Sequence, residues 1–133
     1  MTISRKDLAV LDRFEFDAQP VGVKFLVEPP NSVEKLGGNM AFCEMLKRAQ
    51  DGNAFYADAG NHTCEAGLYV LGQADAPEPF VSGRFGAGLK IFEEPRAASR
   101  LYPYIPRIGR DVANHVAFSS LDKLAFEPDL LIF

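Results

Sequence analysis

The sequence predicts an α+β fold. It reads as a single domain over 1–133, with a mixed or mainly antiparallel sheet and three to four short helices. Three observations predict this. The stretch Val21–Val27 alternates strictly in side-chain character, as a strand with one buried face does. Phe42, Met45, Leu46 and Ala49 recur at helical spacing and mark an amphipathic helix. The remaining strand-like and helix-like segments mix irregularly, which argues against a doubly wound parallel sheet.

Each element has its own signal. Ser4 followed by Asp7 predicts a helix over about 4–15, with Ser4 as N-cap and Leu8, Leu11 and Phe14 as its apolar stripe. In the first strand Val21, Val23, Phe25 and Val27 share one face and Gly22, Lys24 and Leu26 the other; Glu28-Pro29-Pro30 ends it. Asn39 is placed to cap a helix over about 40–51, stopped by Gly52-Asn53, with Cys43 on the rim of the apolar stripe. Ala54–Ala57 suits a short strand. Asn61 or Thr63 is placed to cap a helix running to Leu71, with Gly72 just beyond. Residues 73–88, rich in Gly and Pro, read as a long loop or irregular hairpin. Strands are expected at 89–92, 112–118 and 130–133, and a short helix opened by Pro95. The last strand ends on Phe133, so it needs a place in the sheet, a partner subunit or a longer polypeptide.

Composition narrows the function classes. The 133 residues suffice for a core without staples, and a 47% hydrophobic content is ordinary for a globular chain. A net charge of −4 and a pI of about 5.1 have the wrong sign for nucleic-acid binding. No apolar run nears the roughly 18 residues of a spanning helix, and the N-terminus lacks a signal-peptide layout. The expectation is a cytoplasmic protein with no nucleic-acid or membrane partner. In a reducing cytosol, its two cysteines are free thiols, ligands or catalytic groups rather than a structural disulfide.

Those cysteines, Cys43 and Cys64, with His62, form the main candidate site. Thiol and imidazole are ligands for zinc or iron, and three protein ligands plus water is an open catalytic-type geometry. Glu44 and Glu65 stand beside them as supporting groups. The spacing is not that of a zinc finger, and there is no CxxC. A redox pair is a second reading, with Cys64 near a helix N-terminus, where amide dipoles favour thiolate. A third is that both cysteines are small core hydrophobes and His62 bonds to backbone.

Other motifs carry less. Ser82–Gly88 is glycine-rich but lacks the strand–loop–helix context of a phosphate cradle; Arg84 is its anion contact if it covers a ligand. Lys24 is a candidate partner for a ligand carboxylate, or an edge-strand guard. Arg96, Arg100, Arg107 and Arg110, among Tyr102 and Tyr104, make a basic cluster of irregular spacing that reads by default as a solvated face or subunit contact. His115 sits in an apolar strand and reads as a core histidine. There is no GxSxG, no HExxH and no standout carboxylate pair, so no reaction is assigned.

Four landmarks carry a family resemblance: Pro20-Val21-Gly22-Val23-Lys24-Phe25, Cys43 through Gly52, His62-Thr63-Cys64-Glu65-Ala66-Gly67 with Leu71-Gly72, and Glu127-Pro128-Asp129-Leu130-Leu131-Ile132-Phe133. In this order they resemble domain-of-unknown-function family 169 over about 20–133. Ser120 before Leu121 stands where the family has a proline. The resemblance implies that a longer protein is usual, and it brings no reaction. The leading expectation is a domain binding a small ligand or cofactor near Cys43, His62 and Cys64. The alternatives are a thiol- or metal-dependent enzyme at the same place, and an assembly module, a homo-oligomer included, pairing through its C-terminal strand.

Overall fold

A computed structural model describes residues 5–133. The predicted cap Ser4 lies outside the described residues. The chain contains one four-stranded sheet, antiparallel at every pairing, together with short helices: an α+β architecture. Its contacts gather into two compact units. One combines the segment ending at Thr63 with Asn114–Phe133, and the other is Cys64–Ala113.

The first unit holds the sheet. Strands β1 (Val21–Leu26), β2 (Ala54–Asp58), β3 (His115–Ser120) and β4 (Leu130–Ile132) run in the order β2-β3-β1-β4. Val23 stands opposite Phe118, and Phe118 opposite Phe55, so these three share a face. That is the face the alternation predicted. Val23 and Phe118 are fully buried, and Val21 nearly so. Toward its end the strand opens, and Val27, expected on the buried face, is exposed. The strand β4 lies at the sheet edge, beside β1.

Helix α1 (Arg5–Leu8) passes into a 3-10 turn over Ala9–Arg13. Leu8 is buried, but Phe14 is exposed, so the predicted stripe is cut short by the tighter turn, which shifts later side chains off the inner face. Helix α2 (Phe42–Gln50) packs on β3, burying Met45 and Ala49, with the Phe42 ring edge-on to Phe118 at 5.5 Å. Its N-terminus is Ala41 rather than Asn39. The Glu44 carboxylate accepts from the Ala41 N–H at 2.6 Å, the reach-back half of a capping box.

The second unit is built of short helices: α3 (Glu65–Val70), α4 (Glu78–Val81), α5 (Arg84–Gly88) and α6 (Pro95–Leu101). Two expectations are corrected here. The stretch 73–88 is not a plain loop; Pro79 fits the first turn of α4, and Gly83 starts α5. The expected strand 89–92 is a turn. The N–H groups of Ile91 and Phe92 bond back to the Gly86 carbonyl at 3.1 and 3.3 Å, and Lys90 is left-handed at φ 57, so no ladder forms. The strand expected from Val112 begins instead at His115, after a left-handed Asp111 at φ 61.

Gly83 has a φ of 78, and a Cβ there would stand 1.8 Å from the Pro95 carbonyl oxygen. Only glycine lets α5 begin against the start of α6. Between α4, α5 and α6 lies an apolar hollow of about 180 Å³, walled by Phe80, Phe85, Phe92, Ala98 and Leu101.

Candidate functional site

The residues singled out from the sequence stand on different elements. Cys43 is exposed on α2 and Cys64 is half-buried; both are free thiols. Cys64 is the N-cap of α3, its Sγ accepting from the Gly67 N–H at 3.4 Å. Thiol acceptance at a cap is weak but satisfies one of the helix's orphan donors. His62 is buried in the first unit, in a backbone bridge to Met40. Among the described residues neither ring nitrogen of His62 has a hydrogen-bond partner. Burial pushes its pKa below the usual imidazole value, against the pull of the Asp58 charge. Among the described residues no three His, Cys, Asp or Glu side chains group to hold a metal ion.

Lys24 and Arg84 have internal partners. Lys24 Nζ donates to the Glu127 carbonyl at 2.7 Å, while the next residue's N–H, of Phe25, donates to the Asp129 carboxylate at 2.8 Å. Lys24 therefore helps strap 127–129 to β1. Arg84 pairs with Glu78 on the exposed side of α4 and α5.

Near His62 the polar groups are structural. Asp58 accepts from Gly60 N–H at 3.0 Å and pairs with Lys35 at 2.5 Å. The Lys35 hydrogen bond, helped by Gly60, holds the Asp58 carboxyl below its ordinary pKa, and the same contact raises Lys35. Asn61 is buried and donates to the Leu36 and Gly38 carbonyls at 3.1 and 2.8 Å. These bonds fasten 35–38 to the end of β2.

A different constellation does face open space, inside the second unit. Tyr69, on α3, is buried. Arg107 Nη1 donates to its phenol oxygen at 2.5 Å, and the guanidinium carbon stands 5.0 Å from its ring centroid. Arg110 Nη1 donates to the Gly72 carbonyl at 3.3 Å. Asp75 approaches Arg110 only to 3.8 Å, and its side chain is 96% exposed, so it neutralises little. Among the described residues Arg107 has no carboxylate partner.

The backbone explains why the arginines converge. Gly72 ends α3 with a φ of 71, and a Cβ there would meet the Gly109 and Ile108 carbonyls at 2.4 and 2.6 Å. The Ile108 N–H also donates to the Val70 carbonyl at 2.9 Å. This close seam fixes 107–110 against the end of α3. Between them lies a cleft of about 220 Å³, closed on another side by Tyr102 and Pro103.

Chemically, the cleft offers two guanidiniums and two phenols. Guanidinium forks match carboxylate and phosphate oxygens in pairs, and a phenol already engaged by Arg107 holds that fork in place. The remaining polar side chain of the lining is the Asp75 carboxylate, so the groups that converge on the cleft are chiefly hydrogen-bond donors. The sequence had displayed Arg107, Arg110 and Tyr102 as part of an irregular basic cluster. Tyr69 carried no signal, because its pairing with Arg107 spans 38 residues.

The family model DUF169, described as an uncharacterised ArCR, matches residues 11–133. No curated protein and no solved structure matches the chain.

Proposed function

The chain belongs to the DUF169 family, and from that premise we propose that it is a binding domain for a small anionic molecule, held by Arg107 and Arg110 in the cleft beside α3. The observation that carries this reading is the anchoring of Arg107 on the buried Tyr69 phenol, with no carboxylate partner among the described residues. A guanidinium fixed by a neutral group retains its charge and most of its donors for a ligand. The local charge also runs against a chain whose net charge is −4, which draws an anion to this cleft in preference to the remaining surface. Cys43, His62 and Cys64 have no part in this reading.

Inorganic phosphate is the probe. Titration followed by amide NMR shifts is expected to move resonances of 69–76 and 102–110 in a saturable way. Arg107→Ala and Arg110→Ala each remove charge-assisted hydrogen bonds of about 1.5–3 kcal/mol, so each is expected to weaken binding by roughly tenfold or more. Arg107→Lys keeps the charge but loses the fork, and recovers only part of the affinity. Undiminished binding in the double alanine variant sinks the reading, as does the lack of any saturable shift.

A further inference from the structure

We infer that the ligand of this cleft is an amphiphilic acid, whose anionic head lies on Arg107 and Arg110 and whose apolar tail, a phenyl ring or short branched chain, fills the hollow between α4, α5 and α6. This inference rests on the anion-binding reading above and extends it to a substrate class.

Three observations carry it. Tyr102 lines both the polar cleft and the apolar hollow, so the two spaces adjoin at that residue. A row of rings joins them. Tyr69 stands edge-on to Phe80 at 5.8 Å, and Phe80 edge-on to Phe85 at 4.6 Å. The row therefore leads from the phenol that anchors Arg107 into the wall of the hollow. Size is the third. The cleft of about 220 Å³ and the hollow of about 180 Å³ each fall below the roughly 300 Å³ at which small-molecule sites begin, and together they exceed it. An apolar cavity of about 150 Å³ accepts benzene, so the hollow has room for one aromatic ring and little more.

The hollow is apolar throughout its ring-lined wall, with Phe80 and Ala98 buried and Ile91 at its exposed mouth. A free phosphate or a short acid such as acetate uses only the cleft. An aryl or alkyl acid adds burial of a ring, which at ordinary transfer energies is a gain of at least about tenfold. Tyr102 has to turn, or the tail to bend around it, so a spacer between head and ring favours binding.

The test compares methylphosphonate, phenylphosphonate and 3-phenylpropylphosphonate by calorimetry on the full chain. The expected result is that at least one aryl probe binds tenfold or more tightly than methylphosphonate. Ile91→Asp, an exposed substitution at the hollow's mouth, is expected to erase that advantage and leave methylphosphonate binding unchanged. Arg107→Ala is expected to weaken all three. Equal affinity for the three probes overturns the amphiphile while the anion site stands. Aryl preference that survives both Ile91→Asp and the filling variant Ala98→Val places the tail elsewhere and also overturns it. Failure of all three probes to bind overturns both proposals.

Discussion

In the sheet-bearing unit, polar backbone is matched strand to strand, and Val23, Met45 and Phe118 are sealed to 0% exposure between sheet and α2. In residues 64–113 the longest helix has 7 residues, the chain turns at glycines with positive φ, and two hollows persist. Helices this short draw little stability from their own hydrogen bonds. Their ends are satisfied by backbone groups such as the Ile108 N–H, which donates to the Val70 carbonyl, and by side chains such as Arg110. The contrast teaches that a helix laid along a sheet seals the core between them, whereas many short pieces meeting at their ends set oriented charge beside open space; the sheet-bearing unit keeps its own hollow, of about 390 Å³, away from that core, among Leu8, Asp12, Leu121 and Leu124.

The sharpest way to break this contrast is to damage each interior. Phe118→Ala removes a ring packed on both Phe42 and Phe55, and is expected to cost about 3–5 kcal/mol in urea unfolding. Next in size, Gly83→Ala forces a side chain into the Pro95 backbone at a positive φ, and about 3 kcal/mol is expected. Hydrogen exchange separates the two. Phe118→Ala is expected to lower protection throughout 21–58 and 115–120, and Gly83→Ala chiefly within 78–101. If both lower protection everywhere, the two regions form one cooperative body and the contrast dissolves.

Smaller effects sharpen it. Asp58→Asn loses the Lys35 pair and weakens the Gly60 cap, an expected loss of about 1 kcal/mol at neutral pH. Because the Asp58 pKa is lowered from 3.8 on folding, its contribution is present above that value and fades as pH falls through the folded value. The Asp58→Asn deficit is therefore expected to vanish in strong acid, which thermal melts at several pH values read directly. His62→Leu is the smallest. The ring is buried without a hydrogen-bond partner among the described residues, so replacing it is expected to change stability by less than about 1 kcal/mol at pH 7. The folded pKa of His62 is depressed from 6.5, so the unfolded chain takes up a proton first on acidification. The wild type is then expected to lose stability as pH drops below about 6.5, by more than the leucine variant does. Identical pH profiles would contradict the burial of an unpaired imidazole.

How much of this was legible differs along the same line. Period-two alternation over 21–27 and helical spacing over about 40–51 report directly on burial, and the strand at 21–26 and the helix at 42–50 fall inside those bounds. The strand expected over 130–133 is present as β4, Leu130–Ile132. Residues 73–92 misled because four- and five-residue helices are too short to display a period, and because Ile91 and Phe92 mimic a strand while bonding back to Gly86. The candidate site was harder still. Cys43, His62 and Cys64 drew attention by residue type and local spacing, whereas Tyr69 and Arg107 meet only through a tertiary seam set by Gly72 and Ile108. Spacing in sequence carries no trace of such a meeting.

One detail of the ladder reaches further. β2 and β3 are neighbours, paired from Ala54 opposite Ser119 to Asp58 opposite His115, so the second unit is in effect the connection of a single hairpin. The entropy of closing such a connection grows only logarithmically, by about 0.6 kcal/mol for each doubling of its length. Insertions or deletions within 64–113 thus cost the cross-strand pairs little in closure entropy. Diversification within the family has a natural address there, and the paired strands on either side of it in sequence can be inherited intact.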